Sequence, residues 1–196
     1  MTDIQQDGRA RRQQDIFDLN RTKLIDTAVD VINEVGDIRE VTLTQIAKEA
    51  GVSPATAYNH FPDRMEDVFS AIVHARMDVA ANMGATLADE SLSVIEKLKQ
   101  IPVTYAENLV SLGYAGKVIV VQMFNLVNVN KWLDQDPVQA IAALLSNSDQ
   151  YHDRADEIAV NMATAFRGAM FEYALNIGDH EPVSYTHLTL PTSSRV

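Results

Sequence analysis

The sequence contains no cysteine, one tryptophan, six prolines and eight glycines in 196 residues. Without cysteine there is no disulfide, no thiolate metal site and no thiol nucleophile, a composition that fits a reducing compartment. Long apolar runs are missing too. No segment approaches the roughly 18 uninterrupted apolar residues of a membrane-spanning helix, and the polar start MTDIQQDGRARRQQD lacks the apolar stretch of a signal peptide. A cytoplasmic protein is expected. Nor is there a glycine-rich phosphate loop, a nucleophile elbow, a metal pair or a carboxylate dyad, so neither an enzyme nor a cofactor is expected. Positive charge is scarce, with 16 Lys and Arg against 27 Asp and Glu and a net charge of −11. What the chain has is apolar material: 46% hydrophobic residues, ample for a packed core.

That material is arranged with helical spacing throughout. Leu24, Ile25, Ala28, Val29, Ile32 and Val35 recur at three-and-four intervals and predict an amphipathic helix from Asn20, stopped by Gly36. Thr42 stands three residues before Gln45, a capping-box spacing, and Leu43, Ile46, Ala47 and Ala50 line a short second helix ending at Gly51. Ser53 caps a third helix, with Pro54 at its first position, where a missing N–H costs nothing. Phe61-Pro62-Asp63 breaks that helix, and Asp63 is placed to cap a fourth that runs to Gly84. Ser93 and Glu96 repeat the capping-box spacing at a fifth, which can kink at Pro102 and ends near Gly113. Further helices are predicted from Tyr114 to about Trp132, from Pro137 to Leu145, and from Asp153 to Ile177. No segment alternates as a strand does.

The segment Thr42 to Arg64, TLTQIAKEAGVSPATAYNHFPDR, places two short helices around a tight turn. Ala47 is small where the next helix crosses, and Gly51 supplies the positive φ of a sharp turn. With Ile46-Ala47, Ala50-Gly51-Val52-Ser53, Thr56, Tyr58 and His60-Phe61 in this order, the segment resembles the helix-turn-helix of the TetR family of transcriptional regulators. The likeness covers about the first seventy residues. It implies an all-α protein with an N-terminal three-helix DNA-binding domain and a C-terminal helical domain for ligand binding and dimerisation. It also implies that Ser53 to His60 form the recognition helix and that Thr56, Tyr58, His60 and Arg64 meet phosphates. Thr42 at the head of the second helix is expected on phosphate as well. Base readout falls to Thr44, Gln45, Pro54, Ala55 and Asn59, because amides pair with adenine and apolar side chains meet the thymine methyl. Ala57 departs from the family's larger apolar residue, which leaves the local core looser or filled from the first helix.

Charge complicates this reading. Up to Ser70 eight Lys or Arg (Arg9, Arg11, Arg12, Arg21, Lys23, Arg39, Lys48, Arg64) face thirteen Asp or Glu, so DNA contact requires a local basic cluster. Arg9, Arg11 and Arg12 form either a flexible arm for a minor groove or a solvated tail.

Beyond Gly84 only helical pattern remains. The helix from Asp153 to Ile177 carries Ala159, Ala163, Ala165, Gly168 and Ala169, which permit close approach of another helix, and it is the candidate dimer element. The resemblance implies a further helix after it, which is expected to be absent here. Met77, Tyr105, Leu109, Gln122, Met123, Asn125 and Trp132 are candidate effector-pocket residues, with plain core packing as the competing reading. His152 and Asp156, one turn apart, fit an exposed helix start better than a metal site, so no metal is expected. The tail VSYTHLTLPT, Val183 to Thr192, follows neither the composition nor the period of the helices and resembles a translated sequencing adapter.

These readings divide the chain into a basic arm at 1–19, the helix-turn-helix at 20–66, a regulatory and dimerisation domain at 67–181 and a non-native tail at 182–196. The expected function is a cytoplasmic homodimeric repressor, released from a palindromic double-stranded operator by a largely apolar small effector. The alternative is a TetR-like DNA-binding protein with an architectural or protein-partner role and no effector.

Overall fold

The computed structural model describes residues 3–77, 84, 86–125 and 137–175. Among them there is no strand, and the fold class is all-α. The chain forms two compact units, Met1–Ala75 and Arg76–Val196.

The first unit is built on α1 (Asp3–Val35), α2 (Leu43–Glu49), α3 (Pro54–His60) and α4 (Met65–Met77), with a 3-10 turn at Ile38–Glu40. The spacing expected of α1 is what buries it: Leu24, Ala28 and Ile32 are fully enclosed, as are Ile46 and Ala47 of α2 and Ala57 and Phe61 beside α3. Three ends follow their local chemistry. Gly36, at φ +68°, returns its N–H to the Ile32 carbonyl at 3.1 Å and stops α1. The Thr42 hydroxyl accepts from Gln45 N at 3.2 Å, and the Ser53 hydroxyl accepts from Thr56 N at 3.1 Å, with Pro54 in the first turn.

Two expectations are corrected here. Residues 3–19 are helical and continuous with α1 rather than a flexible arm. They are rich in Gln and Arg, good helix formers, Gln14 donates to Asp18 one turn on at 2.9 Å, and Phe17 has a packing partner on α3. The first unit extends through Ala75, past the expected boundary at 66, and includes the buried Val68, Phe69, Ile72 and Val73 of α4. At the head of α4 the Asp63 N–H donates to the Asp67 carboxylate at 2.7 Å.

The second unit contains α5 (Val94–Ser111), α6 (Tyr114–Asn125), α7 (Pro137–Ser146) and α8 (Ala155–Leu175), with a 3-10 turn at His152–Arg154. Its core joins Leu98 and Ile101 of α5, Ile141 and Leu145 of α7, and Ala155 and Ala159 of α8. The capping box at α5 is complete, since Ser93 N–H donates to Glu96 Oε2 at 2.8 Å and Glu96 N–H to Ser93 Oγ at 3.3 Å. Ser93→Ala is expected to cost about 1 kcal/mol of stability, checked by denaturant titration of the helical signal. Pro102 lies inside α5 and the helix runs through it, because Leu98, Ile101, Ala106 and Leu109 bury one side of the whole length. The expected extensions of α4 to Gly84, α6 to Trp132 and α8 to Ile177, and the tail, fall wholly or partly outside the described residues.

Candidate nucleic-acid interface

The turn between α2 and α3 determines what the two helices can present. Gly51, at φ +66°, donates to the Lys48 carbonyl at 3.1 Å, and Val52 donates to the Ala47 carbonyl at 2.9 Å. These are the paired bonds of a Schellman stop, which turns the chain sharply within two residues and requires a left-handed residue at position 51. Ala47 has no exposed surface, so a larger side chain there would hold the helices apart.

On α3 the exposed residues are Pro54, Ala55, Tyr58 and Asn59, while Ala57 and His60 are buried. This is a two-faced helix, with one face free and the other seated on its own unit. Tyr58 keeps 39% of its surface exposed, and its hydroxyl lies 3.4 Å from the Thr44 hydroxyl of α2. Thr44 and Tyr58 thus join the two helices at the surface. Thr42, Ser53 and Arg64 are exposed, whereas Gln45 and Thr56 are half-buried. The Thr56 hydroxyl is within 2.8 Å of the Ser53 hydroxyl, so these two act together at the head of α3. Arg64 adopts φ +59°, a left-handed conformation uncommon outside glycine, while its N–H donates to the Phe61 carbonyl at 3.0 Å.

His60 differs from the expectation. Its ring is 95% buried and lies against Phe17 of α1, with centroids 4.0 Å apart, so it is not presented to a phosphate. The cause is α1, whose extension over residues 3–19 carries Phe17 to that position. Burial, with the Arg21 charge in addition, pushes the His60 pKa below its ordinary 6.5, and Asp18 acts in the opposite direction. Sequence reasoning also missed Arg21 and Phe17. Arg21 Nη1 donates to the His60 carbonyl at 3.2 Å, and its guanidinium stands 5.0 Å from the centre of the Phe61 ring. The only local signal was an aromatic and an arginine one turn apart. Ala57 is fully buried, so the small residue leaves no exposed gap.

The effector candidates lie in the second unit's own packing where they are described. Tyr105 is half-buried with its ring edge-on to Phe166 of α8 at 5.6 Å, and Leu109 is buried. Gln122 and Met123 of α6 are half-buried. The side chains of Met77 and Asn125, and Trp132, lie outside the described residues. His152 Nε2 is 3.1 Å from Asp153, not Asp156. On α8, Ala159 and Ala163 are buried within the unit, whereas Ala165 and Gly168 are exposed.

Comparison with known proteins bears on the first unit. The profile of the bacterial regulatory proteins of the tetR family matches residues 24–72. The HTH-type transcriptional regulator BetI of Brucella anthropi is 35% identical over 69 residues, covering 35% of each chain. The regulator of the same name from Klebsiella pneumoniae is 36% identical over 78 residues, covering 38% of this chain and 40% of its own. The chain thus spans about a third of the length of these curated relatives. No solved structure matches. The matched segment runs from Leu24 of α1 into α4 and contains the Schellman turn, both hydroxyl caps and the exposed face of α3. Residues 24–72 are therefore similar to the helix-turn-helix domain of the bacterial regulatory proteins of the tetR family.

Proposed function

We propose that the protein is a homodimeric repressor that binds a palindromic double-stranded DNA operator and is released from it by a small-molecule effector. The observation that carries the DNA half of this reading is the free face of α3, in which Pro54, Ala55, Tyr58 and Asn59 stand exposed beside Thr44 of α2. An exposed helix face of this size fits a major groove, with its amide reading base edges and hydroxyls meeting phosphates. Thr42, Ser53, Thr56, Tyr58 and Arg64 are assigned to the backbone, and Thr44, Gln45, Pro54, Ala55 and Asn59 to the bases. An acidic chain tolerates this because hydroxyls and one arginine make the contacts, and two copies double them.

Dimerisation is supported by α8, where Val160, Phe171 and Leu175 keep 51%, 40% and 55% of their surfaces exposed along one helix. Gly168, between them, faces open space. A second copy of α8 would cover these residues. Effector binding to the second unit would favour a dimer whose recognition helices no longer match successive major grooves, and it only has to bind that state more tightly.

The test is selection of bound sequences from a random DNA pool. A two-fold palindrome is expected, while no enrichment overturns the reading, and enrichment of an unpaired half-site overturns the dimer. On the selected site, Tyr58→Ala is expected to weaken binding to cognate and random DNA alike and to lower the salt dependence. Asn59→Ala should change base preference by about 1–3 kcal/mol at one position. Equal losses on both DNAs for both variants would contradict the division of roles.

A further inference from the structure

Three contacts from two residues of α1 converge on the end of α3. Phe17 covers the His60 ring at 4.0 Å with an interplanar angle of 41°, Arg21 donates to the His60 carbonyl at 3.2 Å, and the same guanidinium lies over the Phe61 ring at 5.0 Å. Phe17 and Arg21 are one helical turn apart, so they approach α3 from the same side of α1. The hold therefore grips the side chain and backbone of the last residue of α3 and the ring of the residue that caps it.

What is held is chemically unusual. His60 is 5% exposed, and neither ring nitrogen has a hydrogen-bond partner. A buried polar group without a partner costs free energy that leucine at the same place would not incur. The ring packs as an apolar group only while neutral, because a charged imidazole would need both N–H groups solvated or paired. Phe17, at 42% exposure, is the cover that would have to yield.

We propose that Phe17 and Arg21 are positioning residues that set the recognition helix for DNA by holding His60, and that protonation of His60 releases this hold. The inference rests on the reading of α3 as the recognition helix. The charged groups acting on His60 are Arg21 and Asp18, both on α1. Because the held ring resists a proton that the released ring accepts, the hold is complete above the ordinary histidine value of 6.5 and weakens as pH falls below it. In the family's terms this makes α1 part of the DNA-binding machinery through geometry rather than contact.

The experiment uses the full chain and the site selected from the random pool. Binding is measured at about pH 7.5 and about pH 5.5 for the wild type, Phe17→Ala, Phe17→Leu and His60→Leu, and the His60 ring is titrated by NMR without DNA. The wild type is expected to lose about tenfold in affinity at the lower pH, and His60→Leu to lose much less. Phe17→Ala should bind about tenfold more weakly at the higher pH, with most of the loss recovered in Phe17→Leu. The His60 midpoint should lie below 6.5 in the wild type and rise in Phe17→Ala. An ordinary midpoint, or one unmoved by Phe17→Ala, overturns the hold whatever the DNA results. Matching pH losses in wild type and His60→Leu overturn the release by protonation. Wild-type affinity in Phe17→Ala at the higher pH overturns the positioning role. Failure of the wild type to bind any DNA overturns the repressor reading and the positioning role with it, while the NMR titration separately decides whether Phe17 shields His60.

Discussion

Phe61→Ala is expected to destabilise the first unit by about 3–5 kcal/mol, a large part of the 5–15 kcal/mol typical of a folded domain. Phe61 has no exposed surface, its ring faces the Arg21 guanidinium, and its N–H closes α3 on the Ala57 carbonyl at 2.9 Å. Truncation removes the largest enclosed side chain at the junction of α1 and α3 and leaves a cavity that helices anchored at both ends cannot close. Phe61→Leu keeps most of the volume and should cost about 1.5 kcal/mol or less. The single tryptophan, Trp132, belongs by number to the second unit, so the measurement is urea unfolding followed by amide NMR signals of residues in α1 to α3. A loss below about 1 kcal/mol in Phe61→Ala would contradict the enclosed packing described here.

The second large effect is expected at Gly116→Ala. Inside a helix this change ordinarily stabilises, because alanine loses less chain entropy than glycine, by about 1 kcal/mol. Here a Cβ would land on the Leu109 carbonyl oxygen, with the Leu109 carbonyl carbon at 3.1 Å and Leu112 Cβ at 3.3 Å. The obstacle is backbone at the end of α5, which cannot rotate away as a side chain would. The clash therefore outweighs the propensity, with a net loss of about 1–3 kcal/mol or more. Gly8→Ala, inside α1 with nothing within 4 Å of the added carbon, is the control and should be neutral or stabilising. Opposite signs for the two substitutions in thermal unfolding would confirm that the first turn of α6 sits directly on the backbone at the end of α5 at Gly116, and equal signs would refute it.

Both effects come from contacts that no local pattern announces, and this is where sequence and structure part. Helix starts at Thr42, Ser53 and Ser93 and stops at Gly36 and Gly51 were legible because a cap and its partner lie within a few residues of each other. The exposed face of α3 was legible for the same reason: the three-and-four spacing that buries Ala57 leaves Tyr58 and Asn59 outside. The order and small residues of the turn carried the family likeness. The candidate effector residues were not separable from core by pattern, since Tyr105 and Leu109 obey the same spacing as Leu98 and Ile101, which they accompany on α5.

By itself, then, the sequence determined an all-α chain with a helix-turn-helix near its N-terminus, because caps, glycine stops and apolar periodicity act over one or two turns. Only the tertiary structure decided that residues 3–19 continue α1, that His60 is enclosed rather than presented, and that Ala159 and Ala163 face inward while Gly168 faces out. Each depends on a partner far along the chain, as Arg21 and His60 are 39 residues apart. Helical spacing defines a face, but which face is covered depends on what the fold brings against it.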